Sequence, residues 1–84
     1  MSHQLFLLPR AQKDLDGFRG QMFSKLRDAV RGLAKNPRPL GCRKLSGDEG
    51  FRIRIGDYRI VYRVDDKLKK VFVYRIRHRR EVYR

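Results

Sequence analysis

Acidic residues are scarce in this chain: nine Asp and Glu stand against 22 Lys and Arg, a formal net charge of +13 over 84 residues. An excess of one sign on so short a chain points to a polyanionic partner, or to an acidic protein that neutralises it. Cysteine is scarcer still. The single Cys42 excludes an intramolecular disulfide, and no Cys/His spacing resembles a zinc site, so the chain reads as a cytoplasmic protein with neither metal nor cofactor. Long apolar runs are also missing. The N-terminal stretch Leu5–Leu8 is too short for a signal-peptide core and far too short to span a bilayer, so a soluble protein with no membrane role is expected. The length leaves room for one domain, 1–84, near the lower limit at which a single core holds itself together.

What is present is a stretch of alternating apolar and polar residues from Phe51 to Val64, interrupted only by Gly56-Asp57. That pattern predicts a β-hairpin closed by a two-residue turn. It sets Ile55 opposite Tyr58, Ile53 opposite Ile60 and Phe51 opposite Tyr62 on a core-facing side. The other side carries Arg54 opposite Arg59 and Arg52 opposite Val61, with Arg63 further along. Like charges directly opposite one another destabilise a strand pair by about 0.2–1 kcal/mol. A small domain that gathers such pairs on one sheet face is expected to meet an anion there.

Around the hairpin, Gln4–Leu8 suits a first strand that ends as Pro9 opens a helix, where its missing N–H costs nothing. Leu15, Phe18, Met22, Leu26, Ala29 or Val30, and Leu33 recur at steps of three and four, the apolar stripe of a helix. Gly17 and Gly20 divide it into a short helix over about residues 10–18 and a longer one over about 21–35. Asn36-Pro37 ends the second, with asparagine expected in a left-handed cap. Residues 38–50 read as a loop with a short extended piece near Lys44-Leu45. Val71–Arg77 is expected to form another strand, with Phe72, Tyr74 and Ile76 inward and Val71, Val73, Arg75 and Arg77 outward. The fold class is α+β: an N-terminal strand, a two-helix hairpin, then antiparallel strands, with the helices on one sheet face and the other face open and basic.

Arg52, Arg54, Arg59, Arg63, Arg75 and Arg77 then line one face, with His78, Arg79 and Tyr83 close to its end. Arginine forks match phosphate oxygens and stack on bases, and tyrosine offers a stacking platform, so this is the composition of an RNA-binding surface. Cutting RNA without a metal needs a group that takes the 2′-hydroxyl proton, cations that stabilise the pentavalent phosphorane, and an acid for the leaving oxygen. His78 is the one residue near this face of a type that ordinarily titrates near 6.5, and is the candidate for proton transfer.

The helix hairpin, Phe51-Arg-Ile-Arg-Ile, Tyr58-Arg-Ile-Val-Tyr62 and the ending Arg75-Ile-Arg-His-Arg-Arg-Glu-Val-Tyr83 together resemble toxins of the RelE/ParE superfamily, from type II toxin–antitoxin modules. The resemblance covers nearly the whole chain. It implies a ribosome-dependent, metal-independent endoribonuclease that cuts mRNA in the A site by 2′-hydroxyl attack and is held inactive by a small acidic antitoxin. It matches Arg52, Arg54, Arg59, Arg79 (with Arg77 as the alternative) and Tyr83 to the family's active face; together with the reading of the sheet face, this puts Arg59, His78, Arg79 and Tyr83 in catalysis and Arg52, Arg54, Arg63, Arg75 and Arg77 in RNA binding. Lysines stand in the best-known RelE pattern where this chain has Arg52 and Arg54, and a guanidinium, permanently protonated, is a poor general base. Two other readings stand beside this one: the ParE branch, which inhibits DNA gyrase by binding, and a non-enzymatic RNA-binding module.

Overall fold

The computed structural model describes residues 3–45 and 50–78. The elements run β1 (Gln4–Leu7), α1 (Pro9–Asp16), α2 (Gly20–Lys35), β2 (Arg43–Lys44), β3 (Gly50–Ile55), β4 (Tyr58–Asp65) and β5 (Lys70–His78). Five strands form one sheet in the order β1-β5-β4-β3-β2. The hairpin β3–β4 has the register its alternation predicts, with Ile55 opposite Tyr58, Ile53 opposite Ile60 and Arg54 opposite Arg59. Gly56 takes φ +59°, while Asp57 keeps a negative φ, the pattern of a turn with glycine first. β1 pairs with β5 in parallel, which makes the sheet mixed.

The helices start and stop close to the expected places. Pro9 is the first residue of α1 and follows an extended Leu8. Gly20, at φ +61°, opens α2 after the tight connection. Asn36 departs from expectation: its φ of −142° is extended, and its side-chain carbonyl accepts the Arg38 N–H at 3.2 Å. The asparagine therefore ends the helix by capturing a donor in the next turn.

One sheet face is packed by the helices. Ala11, Leu15, Leu26, Val30 and Leu33 form a single core with Ile60, Tyr62, Val71, Val73 and Ile76. β5 corrects the sequence reading. Val71 and Val73 face the core, and Phe72 and Tyr74 lie on the other side with Arg63 and Arg59. The pairing jumps from Val61–Arg75 to Tyr62–Val73, so Tyr74 is an extra residue in a β-bulge. The bulge shifts the alternation by one, and Ile76 returns to the core.

Tyr62 ties the sheet to the connection after α2. It is fully buried, and its hydroxyl donates to the Pro37 carbonyl at 2.7 Å. Burial, with Cys42 nearby, raises this phenol above its ordinary pKa. Arg38 lies 5.2 Å from the Phe51 ring centroid and donates to both oxygens of Asp66 in the β4–β5 turn. These contacts tie Pro37 and Arg38 to the sheet. Tyr62→Phe is expected to cost about 1–2 kcal/mol, because it leaves the Pro37 carbonyl without its donor. Urea unfolding with an unchanged slope would register this as a shifted midpoint.

Candidate functional site

The site is best described as rows of residues that lie opposite one another across the sheet, on the face away from the helices. One row is Arg54, Arg59 and Arg77, from β3, β4 and β5. The next, two residues along, is Arg43, Arg52, Val61 and Arg75, from β2 to β5. Side chains two residues apart on a strand share a face. Regular pairing thus brings Arg52, Arg54 and Arg59 into one cluster, with Arg77 opposite Arg59 on β5 and lining a second pocket with Arg10, Lys13, Asp14 and Gly17 at the α1 end. Arg59 is at its centre and is only 6% exposed.

Arg43 completes this cluster, although the sequence pattern does not single it out. A signal for it exists, because an extended piece near Lys44 that pairs with β3 must place one of its basic residues beside Arg52. Together, Arg43, Arg52, Arg54 and Arg59 line a cavity of about 340 Å³ walled by Leu40 and Gly41. The contacts of Tyr62 and Arg38 tie Pro37 and Arg38 to the sheet, and Leu40, fully exposed, stands at the open rim of the cavity. An arginine-lined cavity of this size suits an anionic group such as an RNA phosphate, which guanidinium forks contact bidentately.

Three sequence candidates lie elsewhere. His78 is opposite Tyr58, and the two rings meet edge to face at 5.6 Å between centroids. Tyr58 in turn packs edge to face on Phe18, from the connection between the helices, at 4.8 Å. The imidazole is thus on the helix side of the sheet, across from Arg59, where it supports the end of β5. Arg75 donates to Asp14 of α1 through Nε at 2.8 Å and Nη2 at 3.2 Å. Arg63 lies at the other end of the face, where its Nη1 donates to the Tyr74 hydroxyl at 3.4 Å. Arg79 and Tyr83 lie outside the described residues.

The Asp14 carboxylate also accepts the Ile76 N–H at 2.9 Å. β1 stops at Leu7, so the end of β5 loses its neighbouring strand, and Asp14 supplies the missing acceptor. Burial raises the Asp14 pKa, but the Arg75 hydrogen bond, the Ile76 N–H and the charges of Arg75 and Arg77 outweigh it and hold the group below the usual carboxylate range.

With its ring against Tyr58, His78 is expected to contribute to stability. Replacing it with alanine should cost about 1 kcal/mol and leave the pH dependence of any RNA cleavage unchanged. A large fall in rate with an unchanged melting temperature would return the imidazole to the chemistry.

A mixed five-stranded sheet with a helix hairpin on one face is the fold of RelE toxins. The isolated RelE toxin of E. coli superposes with a TM-score of 0.79 at 28% identity, covering 98% of this chain and 92% of that one. The archaeal RelE of the Pyrococcus horikoshii RelE–RelB complex gives a TM-score of 0.83 at 24% identity, over 94% and 97% of the two chains. A YoeB/ParE toxin from Agrobacterium tumefaciens gives 0.75 at 24% identity, over 89% and 96%. Sequence comparison with curated proteins gives no match. Residues 5–83 match the family described as the ParE toxin of type II toxin–antitoxin systems, and the chain belongs to this family, within the RelE/ParE superfamily. It is a toxin of a toxin–antitoxin system.

Proposed function

We propose that this toxin is a ribosome-dependent endoribonuclease that cuts mRNA in the A site and is held inactive by a small acidic antitoxin. The observation that carries the reading is the convergence of Arg43, Arg52 and Arg54 around a buried Arg59 in a cavity lined by arginine, with Arg77 opposite Arg59 on β5. In the cut, the 2′-oxygen bonds to phosphorus, the bond to the 5′-oxygen breaks, and a cyclic phosphate and a free 5′-hydroxyl result. The arginines hold the phosphate and offset the charge that accumulates on its oxygens, the electrostatic part of the catalysis. None of them accepts the 2′-hydroxyl proton, and His78 lies across the sheet. Proton transfer therefore falls to Tyr83, with Arg79 as a further cation, or to the ribosome. The solved complexes of similar toxins with RelB antitoxins support an antitoxin partner, and a net charge of +13 favours an acidic one.

The test is to add the purified toxin, freed of antitoxin, to a cell-free translation reaction and map mRNA 5′ ends with and without ribosomes. Cuts in phase with codons, on translated mRNA only, are expected. The family's description as a ParE toxin favours a second reading, inhibition of DNA gyrase by binding. Intact mRNA together with blocked supercoiling would establish that reading and overturn the first.

A further inference from the structure

The bulge in β5 places aromatic rings on the same sheet face as the arginine cluster. The row two residues beyond Arg52 and Val61 consists of Arg63 on β4, Phe72 on β5 and Phe6 on β1. Phe6 and Phe72 stack with centroids 5.3 Å apart and planes at 17°. Tyr74 lies beside them, its hydroxyl accepting from Arg63, and the Lys70 ammonium is 5.5 Å from the Phe6 centroid. All three rings are half-buried, away from the core. The face is therefore divided into a cationic half around Arg59 and an aromatic half rimmed by Arg63 and Lys70.

We infer that Phe6, Phe72 and Tyr74 form a base-stacking platform for single-stranded RNA that continues the RNA path away from the arginine cluster. This rests on the endonuclease reading of that cluster. Two observations favour RNA as the occupant. The rings share a face and a direction with the phosphate-binding arginines. Cations also stand at the rim of the rings, as required where a backbone must run alongside stacked bases. Arg59 and Arg63 are four residues apart on one strand, about 13 Å. RNA held by its phosphate at Arg59 must extend beyond the reacting nucleotide to reach the platform.

The test compares binding of 2′-O-methyl oligoribonucleotides, which lack the attacking hydroxyl, by fluorescence anisotropy at low salt. The longer probe should be long enough to cover both halves, about nine nucleotides, and the shorter one long enough only for the arginines. The longer RNA is expected to bind at least about tenfold more tightly. Phe72→Leu and Tyr74→Leu should each remove most of that gain, because leucine keeps the apolar bulk and loses the π face. A 5-iodouridine probe should photo-crosslink the wild-type protein at Phe72 or Tyr74, which checks the contact without a substitution. Equal affinity for both lengths, or affinity untouched by the leucine variants with no crosslink, would overturn the platform. A toxin that cuts translated mRNA yet fails these tests would lose the platform alone. One that neither cuts nor binds would lose the endonuclease reading as well.

Discussion

Replacing Arg59 with alanine is expected to lower mRNA cleavage by about 10²–10³-fold while the protein stays folded. That is the usual cost of removing one group aimed at charge that develops in a transition state. Arg59 is the candidate for this loss because it lies between Arg54 and Arg77 at the centre of the cluster and is 6% exposed. A guanidinium withdrawn from water acts on a nearby phosphate with less screening than the exposed Arg54 does. The fold should tolerate the change, since losing two like-charged cross-strand neighbours returns about 0.2–1 kcal/mol each against the packing that is lost. Arg59→Lys should fall between wild type and alanine, because it keeps the charge and loses the planar fork. The measurement is single-turnover cleavage of translated mRNA, with thermal melting as the control. A folded Arg59→Ala protein that cuts at the wild-type rate would remove the residue from the mechanism.

The second large effect is on stability. Asp14→Ala is expected to cost about 2–4 kcal/mol, because it strands the Ile76 N–H at a strand end and removes the carboxylate that pairs with Arg75. A domain of this length has roughly 4–13 kcal/mol in all. The same residue shapes the acid limb of stability. Its carboxyl is held below the ordinary value of 3.8 in the folded protein, so the stabilisation is fully present above that value and is lost as the pH falls through the lower, folded one. Wild-type stability should therefore drop below about pH 4. In Asp14→Asn, which keeps an acceptor for Ile76 and cannot titrate, the drop should be shallower. Urea midpoints measured from pH 7 downward on the two proteins isolate this group, and parallel curves would show that Asp14 contributes nothing to the acid limb.

The sequence alone determined what depends on neighbours close along the chain. The β3–β4 register follows from a period of two and a Gly-Asp turn, both local, so the opposition of Arg54 to Arg59 is legible in the order of residues itself. The helix stripe and the proline at the start of α1 are local in the same way. The family resemblance, too, is carried by contiguous residues.

Tertiary structure decided what depends on strands that meet from far apart. Val71–Ile76 is apolar or aromatic at nearly every position, so both of its faces suit a core and its alternation alone does not choose between them. The choice is made by the register against β4, with a bulge at Tyr74, and by β1 on the other side. That choice sends Phe72 and Tyr74 to the arginine face and His78 to the helix side. The Asp14–Arg75 pair spans 61 residues and exists because β1 ends too early to cover β5. Arg43 joins the cluster only because β2 adds to the edge of β3. Local periodicity specifies which residues share a face of one element, whereas which face meets the core, and which side chains from distant elements converge, is settled by the packing free energy of the whole sheet.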